Sequence, residues 1–270
     1  MAIHPSAIID AAAEIDPTAE VGAYAVIEGP VQVAAGARIY HHAYLSGWTQ
    51  IGPDCQIHPF ATIGHLPQDV KYKHERSYCR IGAGTVIREY ASVHRATEPD
   101  TATVIGQNCF FLAYSHVGHN CTVGDAVTLT NGAQLAGHST VERGAVFSVF
   151  AASHQFVRVG EYAMIGGNGM ISMDVLPFMM MQGRDLYCGI NRVGLTRNGF
   201  SKDEIAEAQL AFKTIYRTGL PFPKALAQLE STLQTKAGQR LLAFAQAPTK
   251  RGIGAGPKHL YGRHPASIEP

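Results

Sequence analysis

Thirteen of the 270 residues are histidine, and five of them fall in one zone: His94, His116, His119, His138 and His154. An imidazole has a reference pKa of about 6.5, so one held beside a hydroxyl is suited to take its proton during bond formation. General-base catalysis of this kind is worth roughly 10² to 10⁴ in rate. The other use of clustered histidines is zinc, held by three imidazoles with a water as fourth ligand. Any one of these residues alone reads most simply as a hydrogen-bonded structural histidine. Five together favour a site.

The scaffold that must position them repeats every six residues. Branched aliphatics or Phe stand at Ile3, Ile9, Ile15, Val21, Ile27, Val33, Ile39, Leu45, Ile51, Ile57 and Ile63. They return at Ile81, Ile87, Val93, Ile105, Phe111, Val117 and Val123, and continue to Val159, Ile165 and Ile171. Six is neither the 3.6 of a helix nor the 2 of an ordinary strand. It marks a solenoid in which each hexapeptide covers one side of a three-sided prism, the left-handed parallel β-helix. Four residues after each aliphatic the side chain is usually small, as at Ala25, Ala43, Cys55, Ala61 and Cys121, which places it near a corner. Glycine often follows the aliphatic, as at Gly22, Gly52 and Gly82, and is assigned with Asn and Asp to the tight turns.

Residues 64–80 and 94–104 lack the marker but keep the frame, since Ile63 to Ile81 is 18 residues and Val93 to Ile105 is 12. Pro67, Asp69, Lys71, Lys73, Glu75 and Arg76 do not fill a core, so both stretches are expected to be loops, and long loops on a regular scaffold are often functional. Ser153 is a polar marker beside His154 and Gln155, a local departure that points to function.

The β-pattern of residues 1–177 ends near Pro177, and 178–200 reads as a connecting segment. Phe178 to Met181 is expected to cover the last coil. Ser201 and Glu204 form a capping box that opens a helical C-terminal domain over 201–246. Residues 247–270, rich in Pro, Gly and basic groups, read as a mobile tail. GIGAGPK (252–258) has neither a strand before it nor a helix after it, which argues against a phosphate loop. A net charge of +1 argues against nucleic acid as the main partner. No 18-residue apolar run suggests a membrane span, and no signal sequence precedes Ile3. Five cysteines without a CxxC pair suit a reducing cytoplasm.

At HVGHNCTVG (116–124), LAGH (135–138) and SHQF (153–156) the chain closely resembles the acyl-[acyl-carrier-protein]–UDP-N-acetylglucosamine O-acyltransferases, the first enzymes of lipid A synthesis. IGHLPQDVKY (63–72), IREYASVHR (87–95) and GINRVGLTRNGFS (189–201) match as well, in order, over roughly residues 1–245. The resemblance implies a homotrimer that moves a 3-hydroxyacyl group from acyl carrier protein to the sugar 3-hydroxyl, with no cofactor and no metal. It implies His119 as general base and the Gly137 N–H as oxyanion donor. Asp69 and Lys71 would hold the sugar and its phosphates, and His94, His116, His138 and His154 would line the substrate. Gln155, Asn191 and Arg197 would contact the nucleotide, and Met164 and Gly167 would line the acyl groove. Three residues depart from the pattern: Asn120 where many members carry Asp, Arg184 where Asn is expected, and Val193 where some members are acidic.

Other readings remain at this level. Asp69 and Lys71 also read as a solvated loop pair, Arg197 as a residue at the approach to the helix, and His138 as a hydrogen bond across a coil. The related N-acyltransferase would need an N-terminal domain, for which Ile3 leaves no room. An acetyl-CoA-dependent O-acetyltransferase would not need the QDVKY loop, and an inert scaffold would not need five histidines. Zinc hydration resembles the trimeric β-helix carbonic anhydrases, whose five-residue histidine spacing occurs here only at His259 and His264. Arg217 and Lys224 are candidates to meet the acidic carrier protein. The acceptor's 3-hydroxyl or 3-amine is not distinguished by sequence.

Overall fold

Twenty-six short strands, from Ala2–Ile3 to Met170–Ile171, each carry one hexapeptide. They form the computed structural model of the chain, which describes residues 2–254. Strand follows strand onto three parallel sheets in turn, so Ile3 pairs with Val21, Ile9 with Ile27 and Ile15 with Val33. The result is the triangular left-handed prism. Among the described residues the sheets hold eleven, nine and eight strands. The aliphatic markers stack in the interior, and Ile57, Ile63, Ile87, Val117 and Leu135 are fully buried.

Gly, Asn and Asp make some of the tight turns as expected, at Gly36, Asp54 and Asn108, but aromatic residues and histidines make others. The small residue is buried inside the prism, as at Ala25, Ala43 and Ala61. The residue before it makes the turn, with φ near +60° at Tyr24, His42, Phe60, Tyr90, Tyr114, Asn120 and His138. Such a residue points outward, and coils in register bring equivalent residues one strand spacing apart. Tyr24, His42, Phe60, Tyr90 and Tyr114 therefore stack as a ladder of rings with centroids 5.0–5.1 Å apart. The glycine after the aliphatic is needed for closeness, not for a turn. A Cβ on Gly82 would lie 2.5 Å from the backbone of Gly106 on the next coil.

The two loops are shorter than the unmarked stretches. Strands Thr62–His65 and Tyr78–Ile81 confine the first to 66–77, and Ser92–His94 and Ala102–Ile105 confine the second to 95–101. Cys79 and Thr103 are fully buried, so small or polar residues fill the wall there without the expected marker. Both loops leave at the corner between the nine- and eight-strand sheets, the corner that carries Asn120 and His138 on the next coils.

The segment 178–200 is more than a connection. Met179–Gln182 extends the eleven-strand sheet, pairing parallel with Met164–Ile165, and turns back into the antiparallel strand Leu186–Ile190. Phe178, Met179 and Met181 are buried and close the last coil. Helix α1 (Arg192–Arg197) follows, then α2 (Lys202–Tyr216), α3 (Phe222–Glu230) and α4 (Lys236–Gln246). Ser201 and Glu204 cap α2 reciprocally. The helices dock through Arg240 on Glu161, and through Phe244, which lies under the Arg158 guanidinium.

Residues 247–254, grouped by composition with a mobile tail, run back along the prism. Gly252 and Gly254 exchange backbone hydrogen bonds with Asp174, Arg251 Nε donates to the Ser172 carbonyl at 2.8 Å, and Lys250 Nζ lies 4.5 Å from the Phe156 ring. The rest of the tail, including the remainder of GIGAGPK, His259 and His264, lies outside the described residues. No helix among the described residues is long and apolar enough to cross a membrane.

Candidate active site

Five of the predicted residues meet at one corner. His94, His116, His119, Gly137 and Gln155 line a cavity of about 260 Å³, together with Gln68, Gly118 and Ser153. A second cavity of about 570 Å³ adjoins it through Ala136, Ser153 and Gln155, and adds His154, Met170, Ser172 and Arg184. A larger groove of about 970 Å³ runs along the eight-strand sheet past Gln32, Gln50 and Arg80, but none of its lining residues is a histidine.

His119 is 6% exposed and sits just before the left-handed corner residue Asn120. The amide of Asn120 is fixed by its neighbours. Its Oδ1 accepts from the Thr97 backbone N–H at 3.0 Å, and its Nδ2 donates to the Glu98 carboxylate and to Thr101 Oγ1. A backbone N–H only donates, so the atom facing it is the oxygen. His119 Nδ1 lies 2.9 Å from that same oxygen and must therefore carry the proton. Nε2 is left as the basic nitrogen, opening toward the cavity.

Asp69 Oδ2, brought by the first loop, stands 3.8 Å from His119 Nε2. Asp69 Oδ1 accepts from the Lys71 N–H at 2.9 Å, which shapes the loop and leaves the Lys71 side chain exposed. A Cβ on Gly137 would fall 2.6 Å from Nε2, so the imidazole packs directly on the glycine. Among the described residues no acceptor takes the Gly137 N–H.

Burial disfavours the charged form of three surrounding imidazoles. Burial, with smaller contributions from His116, His65 and His119, pushes His94 down to about 4. Burial and His119 lower His116, whose Nδ1 is 2.8 Å from Ser92 Oγ. Burial also lowers His138, against the opposing pull of Glu98, whose carboxylate is 3.9 Å from its Nε2. His138 stacks on Phe156 and meets His119 edge-on. Burial alone would raise Glu98, but hydrogen bonds from Thr97 and its own backbone, with His138 and Asn120, hold it below the usual carboxylate range.

Seven candidates line neither cavity: Asp69 and His138 reach His119 itself, Lys71 is exposed on the first loop, and four others lie elsewhere in the chain. Asn191 caps α1, accepting from the Gly194 N–H and donating to the Tyr162 carbonyl, and Arg197 is exposed on the last turn of that helix. Met164 lies in the eleven-strand sheet, and Gly167 follows it against Val149. Val193 is exposed on α1 and lines neither cavity. Arg184, by contrast, does line the second cavity. Sequence reasoning passed over Gln68, Thr97, Glu98 and Lys250. Glu98 carried no signal, because it stands in an unmarked stretch and its partner Asn120 is 22 residues away. No three His, Cys, Asp or Glu side chains converge as metal ligands among the described residues.

Two family models match: the second domain of UDP-N-acetylglucosamine O-acyltransferase over residues 174–254, and the bacterial transferase hexapeptide over 102–137. The chain is 43% identical over 254 residues to the acyl-[acyl-carrier-protein]–UDP-N-acetylglucosamine O-acyltransferase of Thermodesulfovibrio yellowstonii, covering 93% of this chain and 98% of that one. It is 36% identical to the enzyme of that name from Syntrophobacter fumaroxidans, over 94% and 99% of the two chains. The solved UDP-N-acetylglucosamine acyltransferase of Francisella novicida superimposes with a TM-score of 0.91 at 30% identity, over 99% of each chain. The plant enzyme from Arabidopsis gives 0.82 at 31%, over 93% and 99%. Because the likeness runs from the first repeats through both loops and the helical end, the chain belongs to the acyl-[acyl-carrier-protein]–UDP-N-acetylglucosamine O-acyltransferase family.

Proposed function

We propose that this protein transfers a 3-hydroxyacyl chain from acyl carrier protein to the 3-hydroxyl of UDP-N-acetylglucosamine, the first step of lipid A synthesis, with His119 as general base. The observation that carries this reading is the fixed tautomer of His119, with Nε2 open to the cavity beside the Gly137 N–H. Nε2 takes the proton of the sugar hydroxyl as its oxygen attacks the thioester carbonyl. The Gly137 N–H receives the developing oxyanion, a contribution often worth about 3 kcal/mol. The intermediate collapses, the C–S bond breaks, and the imidazolium returns its proton to the carrier thiolate. Asp69 and Lys71 orient the sugar and its phosphates. His94, His116 and His138 line the acceptor side, and His154, Gln155 and Arg184 the nucleotide side. No cofactor enters the scheme.

A homotrimer completes the site. Asn191, Arg197, Met164 and Gly167 lie off the cavity in their own chain, and a neighbouring copy would supply them. All five cysteines are unpaired, which fits a reducing cytoplasm.

The test incubates the protein with 3-hydroxyacyl carrier proteins of several lengths and UDP-N-acetylglucosamine, and follows acylated nucleotide sugar by mass spectrometry. Acylation at the 3-oxygen is expected, with a loss of roughly 10² to 10⁴ in kcat for His119→Ala. Absence of product with every chain length refutes the activity. Near-full activity of His119→Ala refutes the base alone. A parallel arm with the 3-amino sugar nucleotide identifies the acceptor atom.

A further inference from the structure

We propose that Glu98 is a positioning residue that supplies, through the amide of Asn120, the negative charge behind the general base. The inference rests on His119 acting as the base. When His119 takes a proton it becomes a cation, and a neutral Asn120 offers it only a dipole. The structure puts a carboxylate on the far side of that amide. Asn120 Nδ2 donates to Glu98 while Oδ1 accepts from His119 Nδ1, so carboxylate, amide and imidazole form one chain of hydrogen bonds. A negative charge at the Nδ2 end polarises the amide and strengthens Oδ1 as an acceptor.

The carboxylate is held in place. Thr97 Oγ1 donates to Glu98 Oε2 at 3.0 Å, and the Thr101 hydroxyl and N–H both bond the Glu98 carbonyl. The groups facing His119 are Asp69 from the first loop, Glu98 through Asn120 from the second, His116 on its own coil and His138 on the next. His94 stands beyond His116, and Lys250 lies behind Phe156. Of the two acids, Asp69 faces Nε2, where the substrate hydroxyl must enter. Glu98 alone acts from the Nδ1 side.

The experiment measures kcat and KM for both substrates across pH in wild type, His119→Ala, Glu98→Gln, Asn120→Asp and the double variant Glu98→Gln/Asn120→Asp. Gln at position 98 keeps the hydrogen bond and loses the charge. In Glu98→Gln, kcat is expected to fall about tenfold. KM for the nucleotide sugar should stay the same, and the acidic limb of the kcat profile should move to lower pH, because the imidazolium has lost its counter-charge. The double variant places the charge directly on His119 and is expected to recover kcat and return the limb upward. It should also surpass Asn120→Asp alone, which sets two carboxylates side by side. An unmoved limb in Glu98→Gln overturns the proposal, with or without a loss of rate, and so does a double variant no better than Glu98→Gln. Thermal melting of each variant separates a loosened loop from a lost charge. An active wild type whose His119→Ala variant keeps its rate would instead refute the base assignment.

Discussion

Gly137 shows how one absent methyl group shapes the candidate site. Its Cβ would meet His119 at Nε2 and Cε1, and a ring is easier to displace than a backbone. Gly137→Ala is therefore expected to lower kcat by about 10²-fold while changing stability by less than about 1 kcal/mol. Steady-state kinetics and a denaturant melt on the same sample check both halves. The histidines also set an acid limit on folding. His94 falls from 6.5 to about 4 on folding, so between those values the unfolded chain binds the extra proton. Stability is fully present above pH 6.5 and is lost as pH falls through that window, by about 3 kcal/mol for His94 alone. His116 and His138 shift in the same direction and add to it. Urea melts at pH 7, 5 and 4 measure the slope, which should flatten in His94→Gln.

At the scale of elements, the corner between the nine- and eight-strand sheets does most of the positioning. Two loops leave there, and the two following coils place His119, Asn120, Gly137 and His138 beneath them. The end of the prism depends on a different contact. Asp174 is fully buried, accepts from Arg158 Nε at 2.7 Å, and pairs with Ile253 of the returning C-terminal segment. Arg158→Met would leave that carboxylate buried without its cation, at an expected cost of about 3–5 kcal/mol measured by chemical denaturation. The loop positions were visible as gaps in the repeat, and the capping box at Ser201 fixed the start of α2. The strand Met179–Gln182 and helix α1 were not visible. The first pairs Met180 with Met164, 16 residues back rather than 18, so it falls off the frame of the repeat, and the second is six residues long with no apolar periodicity to announce it.

For the whole molecule, the separation of His119 from Arg197 matters most. If the proposed homotrimer builds each site from two chains, His119→Ala and Arg197→Ala damage different halves of it. Unfolded together and refolded as mixed trimers, the two variants should regain a measurable part of wild-type activity that neither shows alone, while separately refolded samples stay inactive. Light scattering of the purified protein checks the threefold mass. The sequence by itself determined the prism, because a six-residue period admits one way to bury an aliphatic on every side of a three-sided coil. It also determined the zone of histidines, since coil number follows from chain position. Only the tertiary structure decided which nitrogen of His119 faces the Asn120 amide and which acid that amide bonds. Those depend on Thr97 and Glu98 reaching Asn120 across a corner, through side-chain contacts that no local spacing encodes.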